Sequence, residues 1–434
     1  MYNTDLVVAG TPAPVFIYIG AEGVLSANWL TGGFVYEAAK SHNAVVLAVE
    51  HRYYGMSHPT EDLSRESLRL LTSRQALADV ANIIKQFVVD GTPVASARVV
   101  VFGGSYGGSL SAWMRQLYPD LVTGAIAASA PLEPSVEFHR YYEVVEQSLW
   151  HEGSDACVTN LREALATVSR MLRRTGGPAQ IERDFALCRA APTPASPTRE
   201  RESLFYSFTD RFAEIVQYHS AKDPFNIPAV CATLDGALTA YNGLVDVIGQ
   251  WRVRGGLPCL ESTYGEMLES LTAPVPNWSR AGRQWMWQSC NEFGYFQVTG
   301  TALADESAVS PELFYKLCED AYGIIDGKRY VNAAAEDTRT FYGGYNFTGS
   351  NVYFTNGNVD PWSALSLLEG SDERRYQALV TNSTAHCAIL GRSDESTLVQ
   401  DRHTLVAAIG GWIGRRAEPT EAVVSAELLH MLKL

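Results

Sequence analysis

The residues best suited to chemistry lie in the run Gly103-Gly104-Ser105-Tyr106-Gly107-Gly108, which follows the apolar stretch Val99-Val100-Val101-Phe102. A serine set between glycines, at the end of a buried strand and the start of a helix, fits the G-x-S-x-G turn, whose strained backbone lifts the hydroxyl above the sheet. Such a serine attacks a carbonyl carbon. It needs a base to take its proton and a carboxylate to orient that base. Asp360, in Asn356-Gly357-Asn358-Val359-Asp360-Pro361-Trp362, and His386, in Ala385-His386-Cys387, each follow a β-like run. Alone, the Asn-Gly and Asp-Pro pairs also read as turn formers, and His386 as a surface loop residue. In the order serine, aspartate, histidine at three strand ends, they read as a triad. Ser105 attacks, His386 takes the proton and returns it to the leaving group, and Asp360 fixes the imidazole tautomer. The Tyr106 backbone N–H should form half of an oxyanion hole and a strand-end N–H of the 20–23 loop, Gly20 foremost, the other half, with one donor worth about 3–4 kcal/mol.

The elements that must position these groups follow a parallel-sheet rhythm. Apolar runs rich in β-branched residues over 15–19, 44–49, 97–102, 124–129, 351–355 and 376–380 read as buried strands. Residues 28–40, 73–89, 109–118 and 395–413 read as helices between or behind them. From about residue 132 to 337 the strands stop and helical segments follow one another, at 154–174, 201–219, 230–251 and 311–321. Functional groups collect outside the carboxyl ends of strands in open α/β sheets. The expected fold is therefore an α/β-hydrolase, with a mostly parallel sheet in residues 1–131 and 338–434 and an inserted helical cap over 132–337.

Composition sets the outer bounds. The chain has 434 residues, 46% of them hydrophobic and 19% charged, which is ordinary for a globular protein large enough for a full core and an insertion. A net charge of −14 argues against nucleic acid or an anionic membrane surface as a partner. There is no apolar stretch of membrane-spanning length and no signal-like start, so no membrane anchor is expected. No H-E-x-x-H, no acidic calcium loop, no Walker or dinucleotide glycine spacing and no C-x-x-C pair occurs, so neither metal nor cofactor is expected. Six of the seven cysteines (Cys157, Cys188, Cys231, Cys259, Cys290, Cys318) fall within the helical region, which suits structural disulfides in an exported protein with Cys387 left over. Sequons at Asn277, Asn346 and Asn382 lean the same way. Among the remaining histidines, His403 is the nearest rival base, but it lies within the closing helix.

Taken together, Tyr18-Ile19-Gly20-Ala21-Glu22-Gly23, Glu50-His51-Arg52-Tyr53-Tyr54-Gly55-Met56-Ser57, the Ser105 turn, the Asp360 loop and Ala385-His386-Cys387 make the chain resemble the proline-specific serine peptidases. That family includes lysosomal Pro-Xaa carboxypeptidase, dipeptidyl peptidase II and thymus-specific serine protease. The helical region resembles the family's disulfide-bearing cap, with Gln288-Ser289-Cys290-Asn291-Glu292-Phe293-Gly294 and Cys318 as its recognisable points. The resemblance implies hydrolysis after proline in short peptides, in carboxypeptidase or dipeptidyl peptidase mode, with the cap acting as a length filter. It implies a lysosomal, vacuolar or secreted protein, compatible with a homodimer. Trp362 would line the proline pocket, and Glu22 and Glu292 would read a terminal amine or brace the site. Ser109 departs from the family, standing where relatives carry a larger apolar residue, and would enlarge or polarise the pocket. The start is short by comparison, which reads as a truncated chain lacking its targeting segment. An esterase or lipase on the same fold, and a non-catalytic binding protein, are the competing readings.

Overall fold

Six short runs of β-branched, aromatic and small residues form one parallel sheet in a computed structural model that describes residues 13–89, 92–275, 281–300, 302–303, 309–371, 375–391 and 396–414. These strands are β1 (Val15–Ile19), β2 (Val45–Val49), β3 (Val99–Gly104), β4 (Gly124–Ala128), β5 (Val352–Gly357) and β6 (Tyr376–Thr381). Their order in space is β2-β1-β3-β4-β5-β6, with every neighbouring pair parallel. Parallel neighbours need crossovers, and the helices supply them.

Before the insertion come α1 (Gly33–His42), α2 (Ser73–Gln86) and α3 (Tyr106–Leu117). Between β4 and β5 lie, among others, α4 (Arg140–Glu152), α5 (Asp155–Leu172), α6 (Thr198–Gln217), α7 (Ile227–Gly236), α8 (Ala240–Arg254), α9 (Gly282–Gln288), α10 (Pro311–Tyr322) and α11 (Gly327–Tyr342). The closing helix is α12 (Ser396–Ile413). This is the α/β-hydrolase arrangement with a helical insertion.

Strand side chains alternate between two cores, as period-two geometry requires. Phe16, Tyr18, Val46, Val100, Phe102 and Ile126 pack beneath α1 and α12. Ile17, Leu47, Val99, Val101, Ala125 and Phe354 face the other way, where one continuous buried cluster runs through α2 and α3 into the insertion. The insertion thus shares its core with the sheet.

Some boundaries differ from the periodicity, each for a local reason. Residues 28–40 divide into a 3-10 turn, Ala27–Leu30, and α1, because Gly33 adopts φ +74° against the Leu390 carbonyl, where a Cβ would come within 2.5 Å. Residues 230–251 divide into α7 and α8, since α7 ends at Gly236 and Thr239 restarts the helix by accepting the Asn242 N–H at 3.2 Å. The helix after Ser105 begins at Tyr106 rather than at Ser109. The sequons at Asn346 and Asn382 are exposed, and Asn277 lies outside the described residues.

Three disulfides pin the insertion: Cys157–Cys231 ties α5 to α7, Cys188–Cys259 closes a second long loop, and Cys290–Cys318 ties the end of α9 to α10. Cross-links over such loops typically contribute about 2–4 kcal/mol each. Cys387 is unpaired and partly exposed. No helix among the described residues is long and apolar enough to cross a membrane. Alkylation of the denatured, unreduced protein should label Cys387 alone, and peptide mass spectrometry showing label on any cysteine of the insertion would contradict this disulfide pattern.

Candidate active site

Ser105 sits between β3 and α3 at φ +57°, ψ −131°, a conformation that non-glycine residues avoid. Its N–H donates to the Ala128 carbonyl at 2.9 Å, and its own carbonyl accepts from Gly108 and Ser109 at 2.9 and 3.1 Å, so the turn is tied on both sides. The flanking glycines are required by close approach. A Cβ on Gly103 would lie 2.0 Å from the Gly107 carbonyl oxygen, and one on Gly107 would lie 2.7 Å from that of Ile19. Ser105 remains partly exposed. Tyr106 occupies the first helical position, where a backbone N–H has no intrahelical acceptor and the helix dipole favours negative charge.

Asp360 follows β5 and is fully buried, while His386 lies in the loop after β6. His386 Nδ1 donates to Asp360 Oδ1 at 2.8 Å, and the Trp362 N–H donates to the same oxygen at 3.0 Å. A carboxylate acceptor at Nδ1 places the proton there and leaves Nε2 as the basic atom. Burial disfavours the imidazolium, but the Asp360 carboxylate and its hydrogen bond, with the neighbouring Cys387 sulfur, outweigh it and hold the His386 pKa well above its ordinary value. The residue after the histidine meets the residue before the serine, since a Cβ on Gly104 would lie 2.8 Å from Cys387 Sγ. The Cys387 N–H donates to Ser129 Oγ at 2.8 Å, which fixes this loop to the end of β4. His403, the rival base, is exposed on α12.

Two sequence expectations need correction. The Gly20 N–H donates to the Val49 carbonyl at 2.8 Å, extending the β1–β2 ladder, so it is not available to an oxyanion. Ala21 takes its place as the candidate donor, its nitrogen lying 3.7 Å from where a Cβ on Gly107 would stand. Ser109 is fully buried and donates to the Pro131 carbonyl at 2.8 Å. It braces α3 against the chain leaving β4, and a hydroxyl that is fully buried and already bonded does not polarise a pocket in the way expected.

Glu22 and Trp362 do reach the site. Burial raises the Glu22 pKa, against its own N–H, the charge of His386 and the Ser105 hydroxyl, all of which favour the carboxylate. Its Oε2 is buried with no hydrogen-bond partner among the described residues. Trp362 is 6% exposed and stands 6.3 Å from His386, ring to ring, and 5.4, 5.7 and 5.4 Å from Phe138, Tyr141 and Tyr295. Phe138, Tyr141 and Tyr295 pack around Trp362, and the four rings form an aromatic box beside the histidine.

Behind Tyr106 lies a buried polar network that joins motif residues whose purpose spacing did not reveal. Burial lowers the His51 pKa to about 4, so its imidazole is neutral. Its Nδ1–H donates to the Arg52 carbonyl at 2.7 Å, and Nε2 accepts the Tyr106 hydroxyl proton at 3.0 Å. Gln288 Nε2 donates to the Tyr106 oxygen at 3.0 Å, while Gln288 Oε1 accepts from Tyr54 at 2.6 Å. Glu292, the other carboxylate expected near substrate, accepts the Ser73 hydroxyl at 2.6 Å and the Ser73 N–H at 3.0 and 2.9 Å. It is a brace. Gln217 is a second residue that pattern reading missed: on the last turn of α6, it carries no motif signal, yet its carbonyl accepts the His386 N–H at 3.0 Å.

Residues 1–405 match the family described as serine carboxypeptidase S28. The chain is 32% identical to thymus-specific serine protease of Mus musculus over 425 residues, covering 93% of this chain and 81% of that one. It is 30% identical to putative serine protease K12H4.7 of Caenorhabditis elegans over 435 residues, covering 95% and 83%. With lysosomal Pro-X carboxypeptidase of Mus musculus it shares 27% identity over 366 residues, covering 80% and 71%.

Burial raises the Glu292 pKa from 4.5 to about 7, against the opposing bonds from Ser73 and Gln288. The folded state therefore binds this proton more tightly than the unfolded chain. The resulting stability is complete below pH 4.5 and is lost as pH rises through about 7, a difference of at most roughly 3 kcal/mol. Thermal unfolding of wild type and Glu292→Gln across that window should show the wild type losing ground as pH rises. Parallel pH profiles would refute the assignment.

Proposed function

This chain belongs to the serine carboxypeptidase S28 family and is a serine-type peptidase, and on that footing we propose that it is an exopeptidase cleaving short peptides after proline, with Ser105, His386 and Asp360 as its catalytic triad. The observation that carries this reading is the His386–Asp360 pair at 2.8 Å, flanked on one side by the strained Ser105 turn and on the other by the aromatic box of Trp362.

In the first half-reaction Ser105 Oγ bonds to the carbonyl carbon of the proline residue while its proton passes to His386 Nε2. The carbonyl oxygen becomes an oxyanion, with the N–H groups of Tyr106 and Ala21 as its candidate donors. Collapse breaks the C–N bond as His386 gives its proton to the leaving amine. Water then attacks the acyl-enzyme, His386 takes its proton, and Ser105 recovers it as the proline-terminated product leaves. Asp360 holds the imidazole tautomer throughout, and the burial of its carboxylate strengthens that interaction.

The proline reading rests on shape and polarity. Phe138, Tyr141, Tyr295 and Trp362 offer flat apolar walls to a five-membered ring, and a similar relative is named for Pro-X substrates. The insertion over the strand ends favours chain termini over internal bonds, in carboxypeptidase or dipeptidyl peptidase mode. Three disulfides and the lysosomal relative support a lysosomal, vacuolar or secreted location.

A fluorophosphonate probe should label Ser105 in the wild type and not in Ser105→Ala, and a wild type that resists the probe would remove the nucleophile from this reading. Asp360→Asn should lower kcat about 10⁴-fold with little change in fold, because it reverses the imidazole tautomer. Mass spectrometry of matched peptides carrying proline or alanine at the second or penultimate position, with free and blocked termini, should show cleavage after proline only near a free terminus. Equal cleavage after alanine, or ester hydrolysis with no peptide cleaved, would reject the proposed specificity.

A further inference from the structure

Gln217 connects the insertion to the site in three ways. Its carbonyl accepts the His386 N–H at 3.0 Å. Its side-chain Oε1 accepts two further protons, from Trp362 Nε1 at 2.9 Å and from the Tyr141 hydroxyl at 2.7 Å. Those two rings stand 5.7 Å apart at 75°, forming adjacent walls of the aromatic box. An indole has a single donor and no acceptor, so its one hydrogen bond fixes the rotation of the ring in its plane. The Tyr141 ring is buried, and with Trp362 almost equally so, loss of the shared acceptor would strand two donors in an apolar surround. The rings would then turn to find other partners, and the box would change shape.

We propose that Gln217 is the specificity-determining residue of the proline pocket: through one amide oxygen it sets the angle between Trp362 and Tyr141, and with it the width of the slot that receives the ring. This rests on the reading of the box as the proline site. Gln217 takes no part in proton transfer, since its side chain holds the walls and only its backbone holds the base. The two attachments are therefore separable by mutation, because replacing the side chain leaves the carbonyl that anchors His386 in place. A positioning residue of this kind changes which acyl group fits rather than how the bond is broken.

The test compares Gln217→Met and Gln217→Leu, which fill similar volume without an oxygen acceptor, with Gln217→Glu, which retains an oxygen at the same place. Each is assayed for kcat/KM on a peptide pair that differs only in proline or alanine before the scissile bond. The Pro-to-Ala ratio should fall about tenfold or more in the Met and Leu variants and be retained in Gln217→Glu, within the 10–200-fold range that pocket contacts supply. An unchanged ratio in a folded Met or Leu variant, with both substrates slowed equally, would overturn the proposal in favour of a purely structural role. So would loss of the ratio in Gln217→Glu. A wild type with no preference for proline would instead reject the pocket reading itself, and this inference with it.

Discussion

Everything in the site depends on Ser105 holding a backbone conformation at φ +57°, ψ −131° that costs about 1–3 kcal/mol. Such strain persists only where the surroundings allow no alternative. Here the Ser105 N–H is committed to Ala128, and the Gly103–Gly107 crevice leaves no room for the chain to relax. On the far side, the Tyr106 ring is held by His51 and Gln288 and packs against Phe293 at 5.3 Å. The residue that follows the nucleophile is thus gripped through its side chain, and its backbone N–H is aimed as a consequence.

That grip changes what the helical insertion means. Gln288 and Glu292 belong to the inserted segment, while His51, Tyr54 and Ser73 belong to the first sheet block, and all five meet beneath Tyr106 in hydrogen bonds of 2.6–3.0 Å. A fully satisfied buried network of this kind defines one arrangement strongly, because any partial version leaves donors or acceptors unpaired. The insertion is part of the scaffold that holds the residue after Ser105.

The sequence carried the sheet clearly, because the inner parallel strands, buried on both faces, read as nearly continuous apolar runs, and each of the six runs became a strand, the half-exposed edge strand β6 included. The proposed triad was legible for a similar reason: Ser105 directly follows such a run, and Asp360 and His386 lie in the loops that two others enter. What remained hidden were roles set by hydrogen bonds at a distance. Gly20 looked like an oxyanion donor until its N–H was seen to continue the ladder to Val49. Ser109 looked like a pocket residue, whereas it serves Pro131. Gln217 gave no signal at all, since a glutamine at the end of an amphipathic helix has no pattern that distinguishes a solvated side chain from one bridging two buried rings. Glu22 and Glu292 looked equivalent, and only burial and partners separated them.

One connection bears on how the protein is made. The His386 N–H rests on the carbonyl of Gln217 while the Cys387 N–H rests on Ser129, so the loop that carries the proposed base is seated on the insertion as well as on the sheet. During synthesis the nucleophile emerges first, the helices next and the histidine after both. On the proposed roles, Ser105 has no seated base until the disulfide-bonded helices are in place to receive the final loop. Docking of the last loop onto the helical insertion and seating of the proposed base are a single event.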